Sequence, residues 1–274
     1  MTILVTGATG TVGRALVHAL SERGQSVRAL SRDPSTAVLP TGVEVVQGDL
    51  TDPSSLTAAL DGVSAVHLIG FDAPRGAGGG DALTTAPAVV EAAERAGVRR
   101  ASVLHNGIPG GMDAAVQHSS LEWTVLVPVG FMANALWWAE AIRNEGEVAE
   151  PRADSRGAIV HEADIADVAA TALTEAGHGG QSYVITGPES LNVAEQVSTL
   201  AEAIGREITF RELSDEEAIA RWRSWGFDDE AVEFMTWTWE SPIGVTPSDT
   251  VRRVTGGPGR TFSQWAAEHA EEFR

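Results

Sequence analysis

Thr6-Gly7-Ala8-Thr9-Gly10-Thr11-Val12-Gly13 decides the fold. It follows a short apolar run at the start of the chain, Ile3–Thr6, and leads into a segment of helical pattern, Gly13–Arg23, that stops at Gly24. Strand, glycine turn and helix in this order open a βαβ unit. Glycines three apart let the backbone turn tightly and come close to a pyrophosphate. The helix start then offers free N–H groups and a positive dipole end. Thr9 and Thr11 add hydroxyl donors, and Val12 lies within the same turn. The stretch predicts a bound dinucleotide; its plainer role is to pack helix on strand.

The same alternation continues outward. Val27–Ser31, Val43–Val46, Ala65–Ile69, Ala101–His105 and Trp123–Val127 read as strands. Most are nearly continuous apolar runs, as expected of parallel strands buried on both faces. Asp52-Pro53 opens a helix as N-cap and N1, with Gly62 closing it, and Ala86–Ala96 stops at Gly97. Repeated βα units predict an α/β fold with a doubly wound parallel Rossmann-type sheet. The second half differs: of the 16 aromatic residues, only Phe71 and Trp123 precede position 131. Asn192 with Glu195 and Ser214 with Glu217 resemble capping boxes. Asp164 reads as the cap of Ile165–Glu175, and Tyr183–Thr186 as a further strand. The division expected is a dinucleotide-binding core at 1–130, to which 155–188 returns, and a smaller, mainly helical lobe at 131–154 and 189–274. The lobe's aromatics either fill its core or line a substrate cleft beside the sheet.

The end of the second strand chooses the dinucleotide. An acidic residue there binds the ribose diol of NAD, and an arginine the 2′-phosphate of NADP. Asp33 sits near the acidic position, but Asp33-Pro34 is also a helix N-cap and N1 pair. Arg32 comes first after the strand and carries a phosphate-matching fork, so NADP(H) is preferred over NAD(H). After the third strand, Asp49-Leu50 would meet the adenine end. Ile69-Gly70, ending the fourth, would let the dinucleotide pass close to backbone. Gly76–Gly80 is either a lid or a loop without a role.

Composition narrows the chemistry. Among 274 residues, 38 are acidic and 19 basic, giving a net charge of −19. This excludes the basic face that nucleic acid or an anionic membrane requires. There is no cysteine, hence no disulfide or thiolate. There is also no lysine, so all 19 basic residues are arginine. With neither a basic leader nor a long apolar run, a cytoplasmic location is expected.

Proton chemistry then falls to histidine. His105 ends the fifth strand with Asn106 after it, and in a parallel sheet the ligand crevice lies at the strands' carboxyl ends. His105 reads as either the catalytic acid–base or a structural strand-end histidine. His118 is a weaker candidate, and no acidic ligand has telling spacing beside the two, so no metal is expected. Phe131 and Asn134 share a helical face after Pro128 and are candidate pocket residues, as are His161 and Trp237. Phe234 with Trp237, and Met235 with Trp239, make that helix apolar on much of its circumference, which predicts burial.

These pieces together resemble the NmrA-like family of atypical short-chain dehydrogenases/reductases. The resemblance rests on Thr6–Gly13, Val27–Arg32, Gly48-Asp-Leu-Thr-Asp52, Trp123–Pro128 with Phe131-Met-Ala-Asn134, Asp164–Val168 and Tyr183–Pro188, in an order that covers nearly the whole chain. It implies a Rossmann fold, NADP binding, and either a small-molecule reductase, such as a quinone reductase, or a redox-sensing regulator. Two departures stand out. The superfamily's Tyr-x-x-x-Lys pair is missing, since Tyr183 is the lone tyrosine and no lysine exists. Leu126-Val127-Pro128 stands where relatives often have Leu-Arg-Pro, after a short segment, Met112–Ser120. The resulting expectation is an NADPH-dependent oxidoreductase that reduces a quinone-, enone- or carbonyl-like apolar molecule by hydride transfer without Tyr–Lys. The alternatives are a non-catalytic NADP(H) sensor acting through a protein partner, and a tailoring isomerase or cyclase.

Overall fold

The computed structural model describes residues 1–72, 81–105, 111–241 and 243–274. Gly76–Gly80 and Asn106 therefore lie outside the described residues. The chain divides into two compact units. The first comprises Met1–Pro128, Glu162–Ile185 and Thr250–Gly257; the second comprises Val129–His161, Thr186–Asp249 and Pro258–Arg274.

The first unit is built on seven strands: β1 (Thr2–Val5), β2 (Ser26–Ser31), β3 (Glu44–Gln47), β4 (Ala65–Ile69), β5 (Arg100–Leu104), β6 (Glu122–Pro128) and β7 (Gln181–Ile185). They form one sheet in the order β7-β6-β5-β4-β1-β2-β3, every neighbouring pair parallel. The strand order reverses between β1 and β4, which places the ligand crevice of such a sheet at the carboxyl ends of these two strands.

Side chains alternate across the sheet. Leu4, Val66 and Leu68 enter one core with Leu56, Leu60, Val89, Val90, Met112 and Val116, below α2 (Ala86–Arg95) and α3 (Met112–Gln117). The opposite face carries α1 (Thr11–Glu22), which packs on α4 (Glu162–Thr174). On that face His67, Ser102 and Thr124 stand side by side on β4, β5 and β6, all buried.

Helix ends follow the sequence punctuation closely. Gly24, Gly62 and Gly97 all adopt positive φ just past their helices, where a side chain would be strained. Asp52 caps as expected, its carboxylate accepting from Ser54 N–H at 3.1 Å, but Pro53–Leu56 is a 3₁₀ turn with a single α turn after it. Asp164 is the third residue of its helix and not the residue before it. That helix starts at Glu162 and buries Asp164 in its first turn, where a carboxylate still meets the positive end of the dipole. The sequence pattern alone could not separate these two placements.

The second unit has two apolar clusters. Phe262, Trp265 and Phe273 are fully buried with Ile142, Leu200 and Ile204, and Phe262 stacks on Trp265 with centroids 5.5 Å apart. Trp222 packs with Leu213, Val232 and Trp239. Both expected capping boxes form, Asn192 with Glu195 and Ser214 with Glu217, and Thr261 with Gln264 makes a third. The helix Asp229–Glu240 is not buried all round as its pattern predicts. Val232 and Trp239 turn to the core, whereas Phe234 and Trp237 stay 41% and 54% exposed and stack on each other at 6.0 Å. Mutual stacking removes part of their apolar surface from water without a second core.

Candidate active site at the carboxyl edge of the sheet

The glycine turn begins where β1 ends. Thr6 donates its backbone N–H to the His67 carbonyl at 3.0 Å, and its hydroxyl accepts from Ile69 N–H at 3.0 Å. β1 and β4 are thus tied together at their carboxyl ends. Gly7 turns at φ +62, and a Cβ there would sit 3.0 Å from Ile69 Cγ2. A Cβ on Gly13 would lie 2.0 Å from the Gly7 carbonyl oxygen, which no packing adjustment accommodates, whereas one on Gly10 would lie at 3.3 Å. Gly13 is therefore required by the fold of the turn itself. Gly10 stands exposed at the rim and is the N-cap of α1 without any side-chain cap. The first N–H groups of a helix have no intrahelical acceptor. This turn leaves them uncapped and backed by the dipole, which fits a pyrophosphate.

The other expected dinucleotide contacts fall around this turn. Thr9 and Thr11 are exposed, Ile69 and Gly70 half-buried, and Val12 and Leu50 buried, so the last two offer backbone more than side chain. Asp49 accepts from both the N–H and the hydroxyl of Thr51, at 2.9 and 2.8 Å.

Both candidates stand at the end of β2. Asp33 is the N-cap of Pro34–Thr36, accepting from Ser35 N–H at 3.1 Å and the Ser35 hydroxyl at 2.6 Å. A ribose diol would compete with that turn. Arg28 is engaged in the fold, with Glu44 at 2.8 Å and the Ala59 and Asp61 carbonyls at 2.9 and 2.7 Å. Arg32 is exposed directly after the strand.

His105 follows β5, and its N–H donates to the Leu126 carbonyl, extending the ladder with β6 by one residue. Its Nδ1 makes a short contact with Asp113 Oδ2, and both side chains are mostly buried. Asp113 is the second residue of α3. A Cβ on Gly70 would meet Met112 Cβ at 3.3 Å, so the start of α3 seats against the end of β4. Gly7, Ile69, Gly70, Asp113 and His105 thus form one continuous rim on the first unit. Sequence reading missed Asp113. Its signal is an acid at the second position of a helix that begins a few residues past a strand-end histidine.

The remaining candidates lie elsewhere. His118 Nδ1 pairs with the Ala114 carbonyl at 2.7 Å on the exposed end of α3, and no group of metal-ligating side chains occurs among the described residues. Tyr183 is inside β7, its hydroxyl 2.9 Å from His178 Nδ1. In the second unit, Phe131 and Asn134 flank the start of the 3₁₀ segment Met132–Trp138, where positions three apart eclipse. Phe131 is half-buried and Asn134 exposed. His161 is buried, its Nε2 3.2 Å from Glu268.

Comparison with known proteins gives the following. Residues 7–107 match a family model described as NAD(P)H-binding. The (4-alkanoyl-5-oxo-2,5-dihydrofuran-3-yl)methyl phosphate reductase of Streptomyces griseus is 38% identical, with 99% of each chain covered. The NAD(P)H azoreductase of Xenophilus azovorans is 34% identical, again over 99% of each. The crystal structure of an NADPH-dependent quinone oxidoreductase from Escherichia coli complexed with NADPH superposes with a TM-score of 0.78 at 25% identity, covering 97% of this chain and 99% of that one.

Proposed function

The chain belongs to the NmrA-like family of atypical short-chain dehydrogenases/reductases and is an NAD(P)H-dependent oxidoreductase, and from that premise we propose that it uses NADPH to reduce electron-poor conjugated acceptors, quinones or enones. The observation that carries this is the uncapped glycine turn opening beside β4. Gly7, Thr9, Gly10, Thr11 and the backbone of Val12 and Gly13 hold the pyrophosphate. Leu50, Ile69 and Gly70 border it, and Asp49 faces the adenine. Arg32 takes the 2′-phosphate; Asp33, engaged in its own turn, supports that choice over NAD. The dinucleotide, when bound, supplies hydride from the nicotinamide.

The named relatives act on a furanone phosphate, an azo compound and a quinone. Each is a conjugated acceptor that gains two electrons and becomes more basic. Such acceptors tolerate the missing Tyr–Lys pair, because the charge left after hydride arrival is delocalised. His105 is the proton source. By their sequence positions alone, Asn106, Asn134, Phe131 and Trp237 are kept as candidate substrate residues. His161, buried against Glu268, is assigned a structural part. Two named reductases covering the full chain favour turnover over the sensor alternative.

The test is NADPH and NADH oxidation against a quinone, a butenolide-type enone and an azo dye. NADPH-dependent turnover of at least one class is expected, with kcat/KM for NADPH above that for NADH. Background rates across the whole panel would refute the reading.

A further inference from the structure

We infer that His105 and Asp113 act as a dyad, with His105 giving a proton from Nε2 to the reduced acceptor and Asp113 as the positioning residue that fixes the ring. This rests on the reductase reading above and extends it to the class of acceptor the site handles.

Three observations carry it. First, Nδ1 of His105 is taken by Asp113, and no other hydrogen bond to the ring is formed by any described residue. The outward nitrogen is thereby Nε2. Second, the pair sits on the rim that begins at the glycine turn, through the contacts of Gly7 with Ile69 and of Gly70 with Met112. His105 is one residue past β5, beside the strands whose ends form the crevice. Third, the ring cannot swing freely. The His105 main-chain N–H donates to the Leu126 carbonyl and holds the backbone that carries the ring, and the partner carboxylate is set in a helix whose first residue is buried against Gly70. A histidine held by a carboxylate at one nitrogen keeps one tautomer and one orientation.

The acceptor receives two electrons and one hydrogen as hydride. The second hydrogen is the Nε2 proton of the doubly protonated ring, which forms the C–H or O–H bond. The N–H bond at Nε2 breaks, the neutral ring keeps Nδ1–H on Asp113, and water returns a proton to Nε2. A quinone needs this little, since its hydride adduct is a delocalised phenolate. An enone needs it more, because its enolate is the stronger base. The dyad therefore widens the range of acceptors from quinones to enones.

The test has two arms. In ¹⁵N-labelled protein without cofactor or substrate, the imidazole nitrogen shifts at a pH where the ring is neutral should show Nδ1–H in the wild type. Asp113→Asn, whose amide can donate to Nδ1, should move the hydrogen to Nε2, and Asp113→Glu should restore the first pattern. In the kinetic arm, His105→Gln should lower kcat on an enone about 10²-fold more than on a quinone. Asp113→Asn should follow in kcat rather than KM, with circular dichroism confirming the fold. Unchanged nitrogen shifts in Asp113→Asn would overturn the positioning role. Equal losses on quinone and enone in His105→Gln would overturn the proton-donor role. If the wild type reduces neither class, the reductase reading and the donor role fail together, while the nitrogen shifts still decide whether Asp113 sets the tautomer.

Discussion

His67 gives the sharpest test of the packed sheet. It is fully buried in β4 among strands covered by α1 and α4, and burial pushes its pKa down to about 4 from 6.5. Ser102 Oγ meets Nδ1 at 2.8 Å, while Nε2 has no partner among the described residues, so a second proton on the ring would enter a dry layer. In the unfolded chain the ring takes up a proton near its ordinary pKa. Between the two values the unfolded state binds more protons, so stability rises with pH. The contribution is complete above pH 6.5 and is lost as pH falls toward 4. Over that whole range the loss is about 3 kcal/mol at 1.36 kcal/mol per unit. Between about pH 7.5 and about pH 5.5 it is about 1.3 kcal/mol. Replacing both members of the pair, His67→Leu with Ser102→Ala, removes the titration without leaving either partner unsatisfied. Urea unfolding of both proteins at the two pH values isolates the effect, since all other titrating groups are shared. The wild type should lose about 1.3 kcal/mol more than the double variant. Parallel losses would show that the ring is not held neutral by burial.

Four further outcomes follow from the site and the caps. Gly13→Ala, which brings a Cβ to 2.0 Å from the Gly7 oxygen, should destabilise the protein by about 3 kcal/mol in thermal or urea unfolding. Gly10→Ala meets that oxygen at 3.3 Å and should cost less than about 1 kcal/mol, yet, on the proposed role of the turn, weaken NADPH binding at least about tenfold in a fluorescence titration, because Gly10 is where the backbone would approach the pyrophosphate. Arg32→Ala should lower kcat/KM with NADPH and leave NADH nearly unaffected, whereas Asp33→Ala should cost about 1 kcal/mol of stability as a lost cap without a selective effect on NADH. Asn192→Ala breaks a complete capping box and should lower stability by about 1 kcal/mol, with no change in cofactor affinity.

What could be read from the sequence depended on how local its cause was. The central strands β1, β4 and β5 were legible because each is a short, mostly apolar run that the parallel sheet buries on both faces, whereas the edge strands β3 and β7 stay largely exposed or half-buried. The glycine turn was legible because its demand is steric and confined to seven residues, from the Gly7 oxygen to the missing Cβ of Gly13. Asp164 misled because a carboxylate before an apolar run looks the same whether it caps the helix or lies in its first turn. What separates them is the backbone path into Glu162, which is not a local property of the sequence. Phe234 and Trp237 misled for a related reason. Their spacing announces apolar faces, but whether a core lies opposite them depends on packing remote in sequence. Asp113 was invisible on the same grounds: its meaning comes from a histidine eight residues earlier, across a strand end and a helix start. The missing lysine removes one proton relay from the sequence, and only the fold shows that a histidine and an aspartate are seated together at the carboxyl edge of the sheet.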